Sequence, residues 1–229
     1  MKIARRVFTA ILPAAAGSLR AQNATPATGA APARLDNDLV KDWIGKAHQR
    51  QIDPMKALLQ REPGLLQSSW DWGAGDWENA IQAAAHTGSR DMALFLIDQG
   101  ARLDLFAAAM LGELTLLKMS IETFPGTLAV PGAHGIPLLN HAISGGAPAV
   151  KVRDYLLAKG VDVNARSKNG MTALMTAVQT GQRETVKLLL SKGADASVKA
   201  LNGNTALALS LKGSDPAITE ALKQAGASE

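Results

Sequence analysis

Cysteine is absent from the 229 residues. That excludes a disulfide framework, a thiolate nucleophile and a thiolate metal site, and it is compatible with an oxidising compartment. Aromatic residues make up only 4% of the chain, which suits helix pairs packed through alanine and leucine. The hydrophobic content of 47% is nonetheless ample for a core. Net charge is lacking too. There are 24 Lys and Arg against 20 Asp and Glu, but Lys2, Arg5, Arg6 and Arg20 supply the whole excess from a stretch that holds no acid. The remainder is neutral, without the basic footprint of a nucleic-acid binder, so no DNA or RNA partner is expected.

Long apolar runs are missing as well. Val7 to Ala16 is too short to span a bilayer, and with the basic residues before it and small residues after it, residues 1–21 read as a secretory signal peptide. Arg5-Arg6-Val7-Phe8 resembles the core of a twin-arginine signal, so export by either the Sec or the Tat route is open. Residues 22–34, QNATPATGAAPAR, form an Ala/Thr/Pro-rich tether. The expected mature chain has no membrane anchor and is periplasmic or secreted.

What the chain does have is repetition. Gly170 to Asp195, GMTALMTAVQTGQRETVKLLLSKGAD, reads as one helix-turn-helix unit. Leu174, Ala177 and Val178 give a short apolar stripe at helical spacing, and Gly181 ends that helix because glycine reaches the left-handed cap without a Cβ clash. A second helix carries Val186, Leu189 and Leu190 and closes at Gly193. GNTALALSL from Gly203 repeats GMTALMTAV at an offset of 33, and GIPLLNHAI from Gly135 matches at an offset of 35. The core Thr172-Ala173-Leu174-Met175-Thr176-Ala177, with tails Gly193-Ala194-Asp195 and Gly160-Val161-Asp162-Val163-Asn164, resembles the ankyrin-repeat family. Ala173 and Ala206 replace that family's proline, and Met175 and Ala208 its histidine. The resemblance implies an all-α ankyrin-repeat solenoid over residues 35–229, of about six helix pairs with short β-hairpin-like fingers. It also implies a protein partner.

Leu35 to Gly64 is the first pair, with a helix start expected at Asp53-Pro54. The next stretch, Trp70-Asp71-Trp72-Gly73-Ala74-Gly75-Asp76-Trp77-Glu78, holds three of the four tryptophans. Repeat alignment makes Trp70 to Asp76 a hairpin finger. It is either an aromatic and acidic binding tip or a rigid loop folded back over the first repeat. The unit that begins at Leu105 follows its predecessor after only 24 residues, short by about nine against the 33-residue period. It should therefore have no finger, and Gly132-Ala133-His134-Gly135 forms the next one. The second helix of this short unit is expected to bury Leu114, Leu116, Leu117 and Ile121.

Motifs for chemistry are few. No Gly-rich stretch matches a phosphate-binding fingerprint. His86 and His141 align to the concave face, His134 to a finger, and His48 to the packed position of Val178. No two share a helix turn, and they come from different repeats separated by the fingerless unit. A metal or general-base site with Asp71, Asp76 or Glu78 is therefore not expected, and neither are a cofactor and an enzyme activity. The reading is a monomeric, exported, protein-binding scaffold. Its candidate contacts are Trp70, Asp71, Trp72, Asp76 and Trp77 at one end, His134 and His141 centrally, and Arg166, Lys168, Asn169, Met171, Thr176 and Gln179 towards the C-terminus. These are positions that the repeat does not need for packing. Two alternatives are an accessory or protective protein assembling with an envelope enzyme, and a metal-dependent enzyme built on the Trp/Asp/His-rich centre.

Overall fold

The computed structural model describes residues 34–213 and 215–227. The stretch expected to be a signal peptide, residues 1–21, and the expected tether up to residue 33 lie outside the described residues. From Leu35 onwards the chain forms one unit, a solenoid of six helix pairs. In order these are α1 (Asn37–His48) with α2 (Ile52–Arg61), α3 (Ala80–His86) with α4 (Arg90–Asp98), and α5 (Leu105–Leu111) with α6 (Leu114–Thr123). They continue as α7 (Leu138–Ser144) with α8 (Val150–Ala158), α9 (Ala173–Gln179) with α10 (Arg183–Ser191), and α11 (Ala206–Lys212) with α12 (Pro216–Gln224).

All the inner helices but α7, which follows Pro137 without a side-chain cap, start where a short polar side chain satisfies a free backbone amide. Thr172 accepts from the Met175 amide at 3.3 Å and Thr205 from that of Ala208 at 3.1 Å. Asn79 and Gln82 cap each other's backbone reciprocally at the head of α3. The stripes then bury as their spacing predicts: Leu174, Ala177 and Val178 on α9, Ile81, Ala84 and Ala85 on α3, and Trp43, Ile44 and Ala47 on α1. They join one continuous core.

Two local expectations shift. Helix α2 starts at Ile52 with Gln51 as its cap, because the tight turn through Arg50 (φ +60°) hands the Gln51 amide to the Lys46 carbonyl at 3.0 Å. Asp53 therefore lies inside the first turn and pairs with Lys56 Nζ at 3.0 Å. On α6 the buried face is Leu117 and Ile121, whereas Leu116 stays 45% exposed on the outer side.

Strands β1 (Ser69–Asp71) and β2 (Trp77–Asn79) pair antiparallel, with Trp70 opposite Glu78. This is the expected finger. The fingerless unit is also as expected, since the chain passes straight from Gly100 into α5, capped by Asp104 on the Ala107 amide at 2.8 Å. Its consequence was not expected. Phe106 to Leu111 are all buried, so α5 is enclosed, and α3 and α7 touch each other across it. The three consecutive alanines of α5 allow this close approach. Ser144 Oγ donates to the His86 carbonyl at 3.2 Å, and a Cβ on Gly88 (φ +65°) would overlap the Ser144 carbonyl oxygen.

The later fingers are tight turns rather than strands, linked in a row by single amide–carbonyl bonds. Lys168 donates to the His134 carbonyl at 2.8 Å, and Leu201 to that of Asn169 at 2.9 Å. At the head of the row the missing finger leaves the His134 amide without its equivalent carbonyl. The Asp76 carboxylate takes that place, accepting from the His134 amide at 2.7 Å.

Candidate functional site

Side chains alternate across a two-stranded ribbon, so Trp70, Trp72, Asp76 and Glu78 of the first finger face inward. Trp77 faces out and is 58% exposed. Trp70 packs against the core. The Trp72 indole donates to Glu78 Oε2 at 2.7 Å. Asp71 accepts the Gly73 amide at 2.9 Å and shapes the turn. The finger thus divides between both readings of its tryptophans: Trp70 braces it inward, Trp72 is 39% exposed while its indole nitrogen is tied to Glu78, and Trp77 is the most exposed ring.

Glu78, fully buried, is the centre of the arrangement. His86 Nε2, from the last residue of α3, lies 2.8 Å from Glu78 Oε1, and His48 Nε2, from the last residue of α1, lies 3.3 Å from the same oxygen. His134 Nε2 approaches Glu78 Oε2 at 3.3 Å. The His48 and His86 Nε2 atoms are 3.1 Å apart. Outer partners fix two of the rings. His48 Nδ1 donates to the Ile44 carbonyl at 3.0 Å, and His134 Nδ1 donates to Asp76 Oδ2 at 3.0 Å. Asp76 also pairs with Lys168 Nζ at 3.2 Å. His134 itself takes a left-handed backbone conformation (φ +56°), which is uncommon outside glycine and is held here by both Asp76 bonds.

The expectation that the histidines stay apart is therefore corrected. The short unit removes the finger that would have separated them, and the first finger closes onto the turn at His134. His48 sits one helical step outside the packed stripe and joins the cluster instead of the core. His141 is the reverse case. It is only 1% exposed, faces the Phe106 ring at 5.0 Å between centroids, and has no hydrogen-bond partner on either nitrogen. A buried imidazole of this kind offers no surface to a partner.

The electrostatics follow from these contacts. Burial opposes ionisation of Glu78, but His48 and His86 outweigh it and hold the carboxyl far below the usual carboxylate range. Burial alone would lower His48; the Glu78 carboxylate and the Ile44 carbonyl outweigh it and raise the imidazole. Asp76 is likewise lowered, with burial overcome by its bonds to His134 and Lys168. For His141 burial dominates and nearby His86 adds to it; together they outweigh the Ala85 and Ile136 backbone and the Glu78 carboxylate, which favour the charged ring, and bring the imidazole down to about 3.

Next to the cluster runs a groove of about 460 Å³ on the concave side, lined by His48, His86, Asn140, Asn169, Met171, Thr176 and Gln179. Asn140 Nδ2 donates to Thr176 Oγ1 at 3.0 Å on its floor. Arg166 is drawn to the Lys199 carbonyl at 2.6 Å and stays exposed. With Lys168 it borders a second, more apolar cavity of about 620 Å³ behind the finger row.

The family model described as ankyrin repeats (3 copies) matches residues 105–200 and 139–228, together more than half of the chain. The chain belongs to the ankyrin-repeat family. No curated protein sequence matches it. Within this ankyrin-repeat protein, His48, Glu78 and His86 all precede the matched stretch and His134 lies inside it, so the cluster joins the two parts. Among the described residues no helix is long and apolar enough to cross a membrane. Ankyrin repeats support a protein-binding scaffold. What an ankyrin repeat as such does not require is the histidine–carboxylate cluster. One signal in the sequence could have found it: alternation across Trp70–Glu78, combined with the nine-residue deficit that removes the next finger.

Proposed function

We propose that this chain is an exported ankyrin-repeat scaffold that binds a protein partner along its concave groove, with Trp77 on the outer face of the finger as an outlying contact. The observation that carries the reading is the groove wall. Asn169 and Gln179 are exposed on it, and Met171, half-buried, packs against the core while one side lines the groove. Side chains held on short helices and on the tight turns that join them lose little conformational freedom on association. An aromatic ring as exposed as Trp77 is the type of residue that anchors interfaces. Export rests on the N-terminal sequence pattern alone. The neutral charge of the remainder favours protein over nucleic acid.

The test is site-specific photo-crosslinking in cells, with the photoreactive residue at Gln179 or Asn169 on the groove and at Lys187 on the outer helix α10. A common adduct from the groove positions and none from Lys187 is expected. Equal adducts at all three positions, or an adduct at Lys187 alone, would refute the concave-face assignment. Fractionation of the same cells checks export: a mature chain shortened near residue 21 outside the cytoplasm is expected, and an unprocessed cytoplasmic chain would sink that part.

A further inference from the structure

The geometry points to a binding site for one divalent transition-metal ion, ligated by the Nε2 atoms of His48, His86 and His134 and by the Glu78 carboxylate. The four side chains each bring one donor atom, and all of these lie within 4.8 Å of one another. Zinc–nitrogen and zinc–oxygen bonds are about 2.0–2.2 Å, so the corners of a tetrahedral site lie about 3.4 Å apart. The His86–Glu78, His48–His86, His48–Glu78 and His134–Glu78 separations of 2.8, 3.1, 3.3 and 3.3 Å already approach that spacing.

The hydrogen bonds around the cluster matter more than the spacing. His48 Nδ1 gives its proton to the Ile44 carbonyl and His134 Nδ1 gives its proton to Asp76. In the neutral rings both Nε2 lone pairs then point at the Glu78 carboxylate, an acceptor facing acceptors. A cation among them turns this repulsion into a ligand set. Metal-bound histidines are oriented in this way, the outer nitrogen donating to a carbonyl or a carboxylate. Trp72 does the same for the fourth ligand by donating to Glu78 Oε2. Three imidazoles with one carboxylate and no thiolate suit zinc and its neighbours rather than calcium or magnesium. The entry path is the concave groove, which His48 and His86 both line. The ligands come from the first unit, the second unit with its finger, and the turn of the fourth, so the ion would clamp three repeats at the point where the finger row is shortened.

The decisive measurement is calorimetric titration of the metal-stripped full chain with Zn²⁺, alongside Co²⁺ titration followed by visible absorption. Expected are one equivalent bound, the intense bands of tetrahedral Co²⁺, and a higher melting temperature with zinc. His134→Gln should lose binding by more than 100-fold. Asp76→Asn keeps all four donors and should weaken it 10–100-fold, which preserves the test if a histidine variant fails to fold. Far-UV circular dichroism verifies each variant. Absence of binding by the folded parent chain overturns the site. So does one equivalent retained undiminished in folded His134→Gln, since the ion then sits elsewhere.

Discussion

His141 gives the sharpest quantitative test of the fold. Its imidazole has neither nitrogen bonded and is pushed from its ordinary 6.5 down to about 3 by burial. The unfolded chain takes up this proton below about pH 6.5 and the folded chain only near 3. Stability is therefore lost as the pH falls through that window. Between pH 7 and pH 5 the loss from this one group comes to roughly 2 kcal/mol, from the protonation of the unfolded form alone. His48 is shifted the other way and gains over the same interval, while Glu78 and Asp76, held low, begin to lose stability only as their unfolded forms protonate towards pH 4. A double difference cancels these shared contributions. His141→Leu replaces the ring with an apolar group and leaves no new unpaired polar atom. Urea unfolding at pH 7 and pH 5 should show the parent losing about 2 kcal/mol more than the variant, or roughly 4–8 °C in parallel thermal melts of a domain this size. Equal losses in the two proteins would show that His141 is hydrated or hydrogen-bonded, and the account of its burial would fail.

Other expectations are simpler. Gly181→Ala meets open space at φ +66° and should cost about 1–2 kcal/mol for the left-handed backbone alone; Gly88→Ala adds a clash with the Ser144 carbonyl and should cost clearly more in the same urea experiment. Asp76→Ala strips the acceptor from the His134 amide, the His134 ring and Lys168 at once, and thermal melts should show a loss of about 1–3 kcal/mol. Trp77→Ala, on the outer face of the finger, should change stability by less than about 0.5 kcal/mol. Trp43→Ala, with its ring fully buried, should cost about 3–5 kcal/mol. Comparable losses for the two tryptophans would contradict the division of the aromatics between core and surface.

The period of 33 residues, the glycine stops and the stripes on α3, α9 and α10 made the solenoid legible, because each is a local consequence of helix geometry. The short unit before Leu105 was legible by the same counting. What counting cannot supply is the direction in which the neighbours move to fill the gap. Repeat alignment put His48 in a packed slot equivalent to Val178 and His141 on an open face. Yet His48, the last residue of α1, turns to Glu78 and His86 of the next unit, and α7 is pressed against the enclosed α5. Glu78 was visible only as one acid among three near the tryptophans; its role depends on the ribbon register that turns it inward beside Trp70.

A linear array of repeats is normally described by nearest-neighbour coupling, each unit sensing only the one before and the one after. Here the contacts that reach across α5, from Asp76 to His134 and from His86 to Ser144, tie the second unit to the fourth. The array therefore contains a closed loop of interactions, and its fourth unit opens only by losing contacts to the second unit as well as to the third. Unzipping from the C-terminal end is free to pass through α12, α11, α10 and α9, but it then meets a higher step that favours opening α8 to α3 together. Residues Ala80 to Ala158 should accordingly exchange their amide hydrogens as one block with one opening free energy, where a regular array of the same length would show a gradient.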